Sequence, residues 1–161
     1  MGCPEADHPA TQAWKPERMA GTQIALPPWL ILVPVDFKRD DVGEKLLAAA
    51  FQQNSPAFFT WLGVVPDLME DAFGRTLDYM SSIQNSEVVF DYMEPPEALC
   101  EELRQRSVSR FEPVAIAAIL RSHGFCAIED INLEEIVSRF GRAVQGLTAG
   151  HAGVDVVHAK H

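Results

Sequence analysis

Residues 5–19 read EADHPATQAWKPERM. Two carboxylates one residue apart are followed by His8-Pro9 and then by a segment that winds into a helix. Acids placed just ahead of a helix start suit the carboxyl end of a strand in an α/β fold, the level at which such folds meet their ligands. Cys3-Pro4 is then the stub of that strand. Strands and helices must alternate downstream if this is right.

They do. WLILVPVDF (29–37) follows Pro27-Pro28 as a compact aliphatic run, short enough for a buried strand. DDVGEKLLAAAF (40–51) places Val42, Leu46, Leu47 and Ala50 on one helical face, with Asp40 or Asp41 as the N-cap. AFFTWLGVV (57–65) is a second apolar run, closed by Pro66. Asp67 then caps LMEDAFGRTLDYMSSI (68–83), whose Met69, Phe73, Leu77 and Met80 form an apolar stripe. SEVVFDYM (86–93) is a third strand, and Pro95-Pro96 opens a helix over 97–108. EPVAIAAILRSHGF (112–125) is a helix ended by Gly124. CAIEDI (126–131) and VDVVHA (154–159) are short strands around a last helix, LEEIVSRF (133–140). The alternation predicts one α/β domain over 1–161 with a mostly parallel sheet. Its three strong strands are apolar on both sides because helices cover both faces. The last two strands are expected to form an edge pair, one of them antiparallel.

The 161 residues suffice for one domain that buries ~70% of its unfolded surface. A net charge of −10 excludes a phosphate backbone as partner, since that needs clustered Lys and Arg. Only Arg104, Arg106 and Arg110 lie close together, and they read as a solvated helix face. Cys3, Cys100 and Cys126 are odd in number and lack C-x-x-C spacing, which argues against a disulfide framework and a zinc site. His151, His158 and His161 straddle a strand without carboxylate company and read as exposed tail residues, so no metal is expected. No apolar run approaches the ~18 residues of a membrane span, and no signal sequence precedes the acids. The expectation is a reduced, cytoplasmic protein with neither membrane nor nucleic acid as partner.

Strand ends carry the candidate chemistry: Glu5 and Asp7, Asp36-Phe37, Leu62-Gly63-Val64, and Asp91-Tyr92. A carboxylate at one strand end accepts both hydroxyls of a ribose, each charged hydrogen bond being worth ~1.5–3 kcal/mol. An Asp-hydrophobe pair at the next meets an adenine, the carboxylate at its amino group and Phe37 over a ring face. Taken singly, Asp7, Asp36 and Asp91 are helix caps or solvated strand ends. Taken together, at successive ends, they point to a nucleoside pocket.

DHPATQAWKPERM, VPVDF, FFTWLGVVPDL, SEVVFDYMEPPEAL and FEPVAIAAILRSHGF, in that order, resemble consecutive motifs of one family. It is the leucine carboxyl methyltransferase-like family of S-adenosylmethionine-dependent methyltransferases, in its bacterial branch. The resemblance implies a Rossmann-like class I methyltransferase sheet, mostly parallel, with a C-terminal antiparallel strand. It implies S-adenosyl-L-methionine as cofactor, with Asp7 at the ribose, Glu5 just inside it, and Asp36 and Phe37 at the adenine. Leu62 and Gly63, within the stretch from Trp61 to Val64, would line the methionine side.

Against the family, EADHP aligns with the end of the second strand, so the first strand and its glycine loop have no counterpart. There is no G-x-G-x-x-G, because Gly146, Gly150 and Gly153 are spaced wrongly. A truncated domain is therefore expected, in which the neighbouring strands close up, leave unpaired edges, or receive a strand from another chain; a homodimer is the candidate assembly. The implied reaction is methyl transfer to an oxygen, a carboxylate included, of a small-molecule acceptor. The alternative is a truncated, inactive binding or dimerisation module. No catalytic residue is assigned; His8 and Tyr92 are the nearby groups entertained for proton transfer.

Overall fold

The computed structural model describes residues 2–22, 24–95, 108–140 and 154–161. The chain divides into two compact units, Met1–Asn54 and Ser55–His161.

In the first unit, β1 (Cys3–Asp7) leads into α1 (Pro9–Ala20), then β2 (Leu30–Pro34) and α2 (Val42–Ala48). Pro9 opens α1 because its fixed φ suits a first turn that needs no N–H. β1 and β2 pair in parallel, with Asp7 opposite Pro34, so the two strands end at one level. Pairing runs one step further, where Val35 N donates to Asp7 O at 2.9 Å. Val33, Val35, Val42 and Leu46 are buried and make the core of this unit. Asp41 is the cap of α2, its Oδ1 accepting from Glu44 N at 2.9 Å. The face predicted over 40–51 needs correcting. Leu47 is 59% exposed, and Ala50 lies beyond the helix with φ +61°. The helix stops because Phe51 N bonds Leu46 O and Ala50 N bonds Leu47 O, a paired closure that demands a left-handed residue at position 50.

The second unit runs β3 (Phe58–Trp61), a 3₁₀ turn (Val65–Asp67), α3 (Glu70–Ser81), β4 (Glu87–Met93), α4 (Pro113–Ser122), β5 (Ala127–Ile131), α5 (Leu133–Phe140) and β6 (Val154–Lys160). Its sheet has the order β3-β4-β6-β5, with β3 and β4 parallel and β6 antiparallel to both neighbours. The expected C-terminal antiparallel strand is present. It pairs with β5 at one end of the sheet as expected, lying between β4 and β5, and its Val157 and Ala159 are buried. Trp61 stacks on Phe73 with ring centres 5.6 Å apart, and Phe73 meets Phe90 at 5.5 Å and Phe111 at 5.4 Å. This aromatic group ties β3, α3 and β4 to the stretch before α4.

Asp67 does not cap α3 as predicted. It belongs to the 3₁₀ turn, and Met69 occupies the cap position without a side-chain bond. Met69 is 57% exposed and leaves the stripe, while Phe73, Leu77 and Met80 keep it. The helix expected over 97–108 falls outside the described residues save Val108, as do Cys100, Arg104, Arg106, Gly146, Gly150, His151 and Gly153. Among the described residues, no helix is long and apolar enough to cross a membrane.

Candidate functional site

In the first unit, α1 folds back along its own strand and delivers Lys15 to the acids of β1. Lys15 Nζ pairs with Glu5 Oε1 and lies 3.7 Å from Asp7 Oδ2. All three side chains are partly exposed. Asp7 Oδ1 accepts from His8 N at 2.7 Å, and His8 Nδ1 in turn accepts from Ala10 N at 3.3 Å as the cap of α1. Gln12, which is buried, donates from Nε2 to Glu5 O at 2.8 Å and fixes the helix against the strand. Its Oε1 is buried without a hydrogen-bond partner among the described residues.

Two residues past β2, Asp36 sits in a tight turn. Its Oδ1 accepts from Lys38 N at 3.1 Å, its own N donates to Asp40 Oδ2 at 2.9 Å, and Arg39 Nε lies 3.7 Å from its Oδ2. Asp40 is held below the usual carboxylate range, first by that backbone donor and then by Lys45 at 3.4 Å. Phe37 beside it is half-buried. Asp7 and Asp36 therefore do act as turn and cap acceptors, yet each spends one oxygen on one local N–H. A carboxylate offers about four lone-pair sites, so both keep acceptor capacity for hydroxyl or amino donors.

In the second unit, Gly63 N donates to Asp91 Oδ1 at 2.7 Å and fastens the loop after β3 to β4. Gly63 has φ +70°, a conformation that excludes most side chains. Leu62 is 53% exposed beside it. Trp61, by contrast, is buried and stacks on Phe73. Glu5, Asp7, Asp36 and Phe37 thus belong to one unit, Leu62 and Gly63 to the other.

Two expectations about titrating groups change. Tyr92 is fully buried, with its hydroxyl 2.7 Å from Asp130 Oδ2 and 3.3 Å from Asp155 Oδ2. Burial, then Asp130, pushes its hydroxyl well above the ordinary phenol value. His158 has carboxylate company after all: Nε2 lies 2.8 Å from Glu87 Oε2, with Lys160 Nζ at 3.0 Å from the same oxygen. His158 and Lys160 hold Glu87 below its usual value. Among the described residues, no group of three potential ligands could hold a metal ion.

Lys15 and Asp91 are the residues with contacts that sequence reasoning did not find. Lys15 gave no sign beyond its place two turns into a helix that returns over its strand. The Asp91 bond to Gly63 required the register of β3 on β4.

Residues 3–81 match the model of the family described as leucine carboxyl methyltransferase. YktD of Bacillus subtilis, provisionally named an S-adenosyl-L-methionine-dependent methyltransferase, is 32% identical over 90 residues, covering 55% of this chain and 29% of that protein. Among solved structures, the mitomycin 7-O-methyltransferase MmcR aligns with a TM-score of 0.63 at 13% identity, over 100% of this chain and 42% of its own. Human N-acetylserotonin methyltransferase, solved in complex with S-adenosylmethionine, aligns with a TM-score of 0.56 at 12% identity, over 99% and 40%. These structural likenesses establish the methyltransferase fold, and the chain spans less than half the length of each relative. Residues 3–81 are thus similar to the leucine carboxyl methyltransferase family, and the relatives named with a cofactor carry S-adenosyl-L-methionine.

Proposed function

We propose that residues 1–161 form a methyltransferase domain that binds S-adenosyl-L-methionine and serves methyl transfer to an oxygen of a small-molecule acceptor. The observation that carries this reading is the pair Asp7 and Asp36. They stand at the carboxyl ends of two parallel strands in register, inside the stretch that matches the family. The preference for oxygen rests on the relatives, one named for a carboxyl acceptor and one for a 7-O-methyl product.

In this reading Asp7 accepts the ribose hydroxyls, and Glu5 behind it is neutralised by Lys15. Asp36 meets the adenine amino group while Phe37 covers a ring face. When bound, the cofactor supplies an electrophilic methyl on a sulfonium. The chain's contribution is to hold and orient it, and proximity alone supplies much of the acceleration in such in-line transfers. No side chain is assigned as a base; a carboxylate acceptor is already nucleophilic.

Calorimetric titration with S-adenosylhomocysteine tests the reading. The parent is expected to bind at micromolar strength. Asp7→Ala and Asp36→Ala should each weaken binding by ~1–3 kcal/mol, the cost of losing a charge-assisted hydrogen bond. If both variants bind as the parent does, the pocket is elsewhere. A folded parent that does not bind would leave the methyltransferase fold without its chemistry.

A further inference from the structure

The sheet of the second unit gathers four acidic or phenolic groups at the end of β4. Tyr92 comes from β4, Asp155 stands directly opposite it on β6, Asp130 reaches the same face from β5, and Glu94 follows β4. Tyr92 Oη donates to Asp130 Oδ2 at 2.7 Å and lies 3.3 Å from Asp155 Oδ2. Asp155 is only 6% exposed, and Glu94 acts on it as a further acid. Asp130 Oδ1 is buried without a hydrogen-bond partner among the described residues.

Proton counting decides what this arrangement requires. One phenolic proton faces two carboxylates, so one of the two is left without a full donor unless it carries a proton itself. The principal charges acting on Asp155 are Glu94 and Asp130, both acids. The cations of β6 lie on the opposite face, where His158 and Lys160 pair with Glu87. On α5, Glu134 and Glu135 add no positive charge, and Arg139 is engaged by Glu129 at 2.7 Å and Glu135 at 3.0 Å. Arg121 on α4 is exposed, and Arg110 stands on the stretch that Phe111 N ties to Met93 O. Burial beside these acids penalises the ionised form of Asp155.

We propose that Tyr92, Asp130 and Asp155 form a proton-dependent clamp, in which a proton held on Asp155 fastens the start of β6 to β4 and β5. Loss of that proton loosens this corner of the sheet. Burial, reinforced by Glu94 and Asp130, pushes the Asp155 carboxyl up to about 7, and burial also raises Asp130. Tyr92 stays protonated throughout and remains a donor. Because the folded value of Asp155 lies above its unfolded 3.8, the folded chain holds more protons between the two. The stabilisation is full below the unfolded value and disappears as pH rises through about 7.

Urea unfolding of the full chain between roughly pH 5 and 8, with parent and Asp155→Asn side by side, tests the clamp. In the parent, the unfolding constant should rise by up to about tenfold per pH unit below neutrality and level off above it, as one bound proton dictates. Asp155→Asn keeps the shape without the titration and should lack this component, while other titrating groups contribute equally to both. Matching pH slopes in the two proteins would overturn the proposal. Should the variant fail to fold, the ¹³C titration of the Asp155 carboxyl in the parent decides: a midpoint near 7 supports the clamp and one near 4 refutes it.

Discussion

Ala50 and Gly124 occupy the same place in the same motif, and the chain has solved it two ways. After α4, Gly124 N bonds Arg121 O and Phe125 N bonds Leu120 O, with Gly124 at φ +92°. After α2, Ala50 adopts φ +61° with the matching pair of bonds. A Cβ in the left-handed region costs ~1–2 kcal/mol. Ala50→Gly removes that strain but loosens the unfolded chain by ~0.4–1 kcal/mol. The net expectation is a gain of up to ~1 kcal/mol in urea denaturation; a loss would show that position 50 carries no strain. Gly124→Ala goes the other way by ~1–2 kcal/mol or more, since its Cβ would also meet the His161 ring at 3.0 Å. Gly63→Ala faces no atom within 4 Å, so its cost should stay conformational, ~1–2 kcal/mol.

At the scale of elements, α3 separates what periodicity reveals from what it does not. Leu77 is fully buried, so Leu77→Ala should cost ~2–5 kcal/mol through lost transfer energy and a residual cavity. Met69 shares the sequence stripe yet lies outside the helix, and Met69→Ala should stay within ~0.5 kcal/mol. Urea midpoints for the two variants would distinguish a stripe starting at Met69 from one starting at Ala72 and Phe73. The strands were legible because apolar runs between turn residues have few other uses: 29–37, 57–65 and 86–93 contain β2, β3 and β4. The burial of Tyr92 was not read from the sequence, although Val88, Phe90 and Tyr92 share one face of a period-two strand and Asp91 the other. The edge pair of β5 and β6 was legible as well, but not its register on β4, which depends on pairing across more than sixty residues of sequence, as between Tyr92 and Asp155. For the site, Asp7 and Asp36 could be picked out as strand-end acids. Lys15 could not, because its role arises only when α1 folds back on β1.

For the whole molecule, opposed electrostatic contributions set the conditions under which it is most stable. Glu87, Asp40 and Asp71 are lowered by hydrogen-bond donors: His158 and Lys160, the Asp36 backbone with Lys45, and Arg75. Their stabilisation is present above the unfolded values of 4.5 and 3.8 and is lost as pH falls through the lower folded ones. Asp155 works in the reverse sense, so stability should peak at weakly acidic pH and decline toward pH 8. There the 23 acids outnumber the 13 Lys and Arg, and the net charge of −10 repels itself at long range. Salt acts on both contributions. Going from about 0.01 to 0.1 M shortens the screening length from about 30 to about 10 Å, which removes much of the repulsion between distant charges. The same salt weakens the exposed ion pairs, but each of those is worth only ~0–1 kcal/mol. Repulsion should win at pH 8, so the urea midpoint is expected to rise with sodium chloride there and to respond less near pH 5, where the net charge is smaller. A midpoint that falls with salt at pH 8 would mean that the pairs around Glu87, Asp40 and Asp71 outweigh the excess of acids.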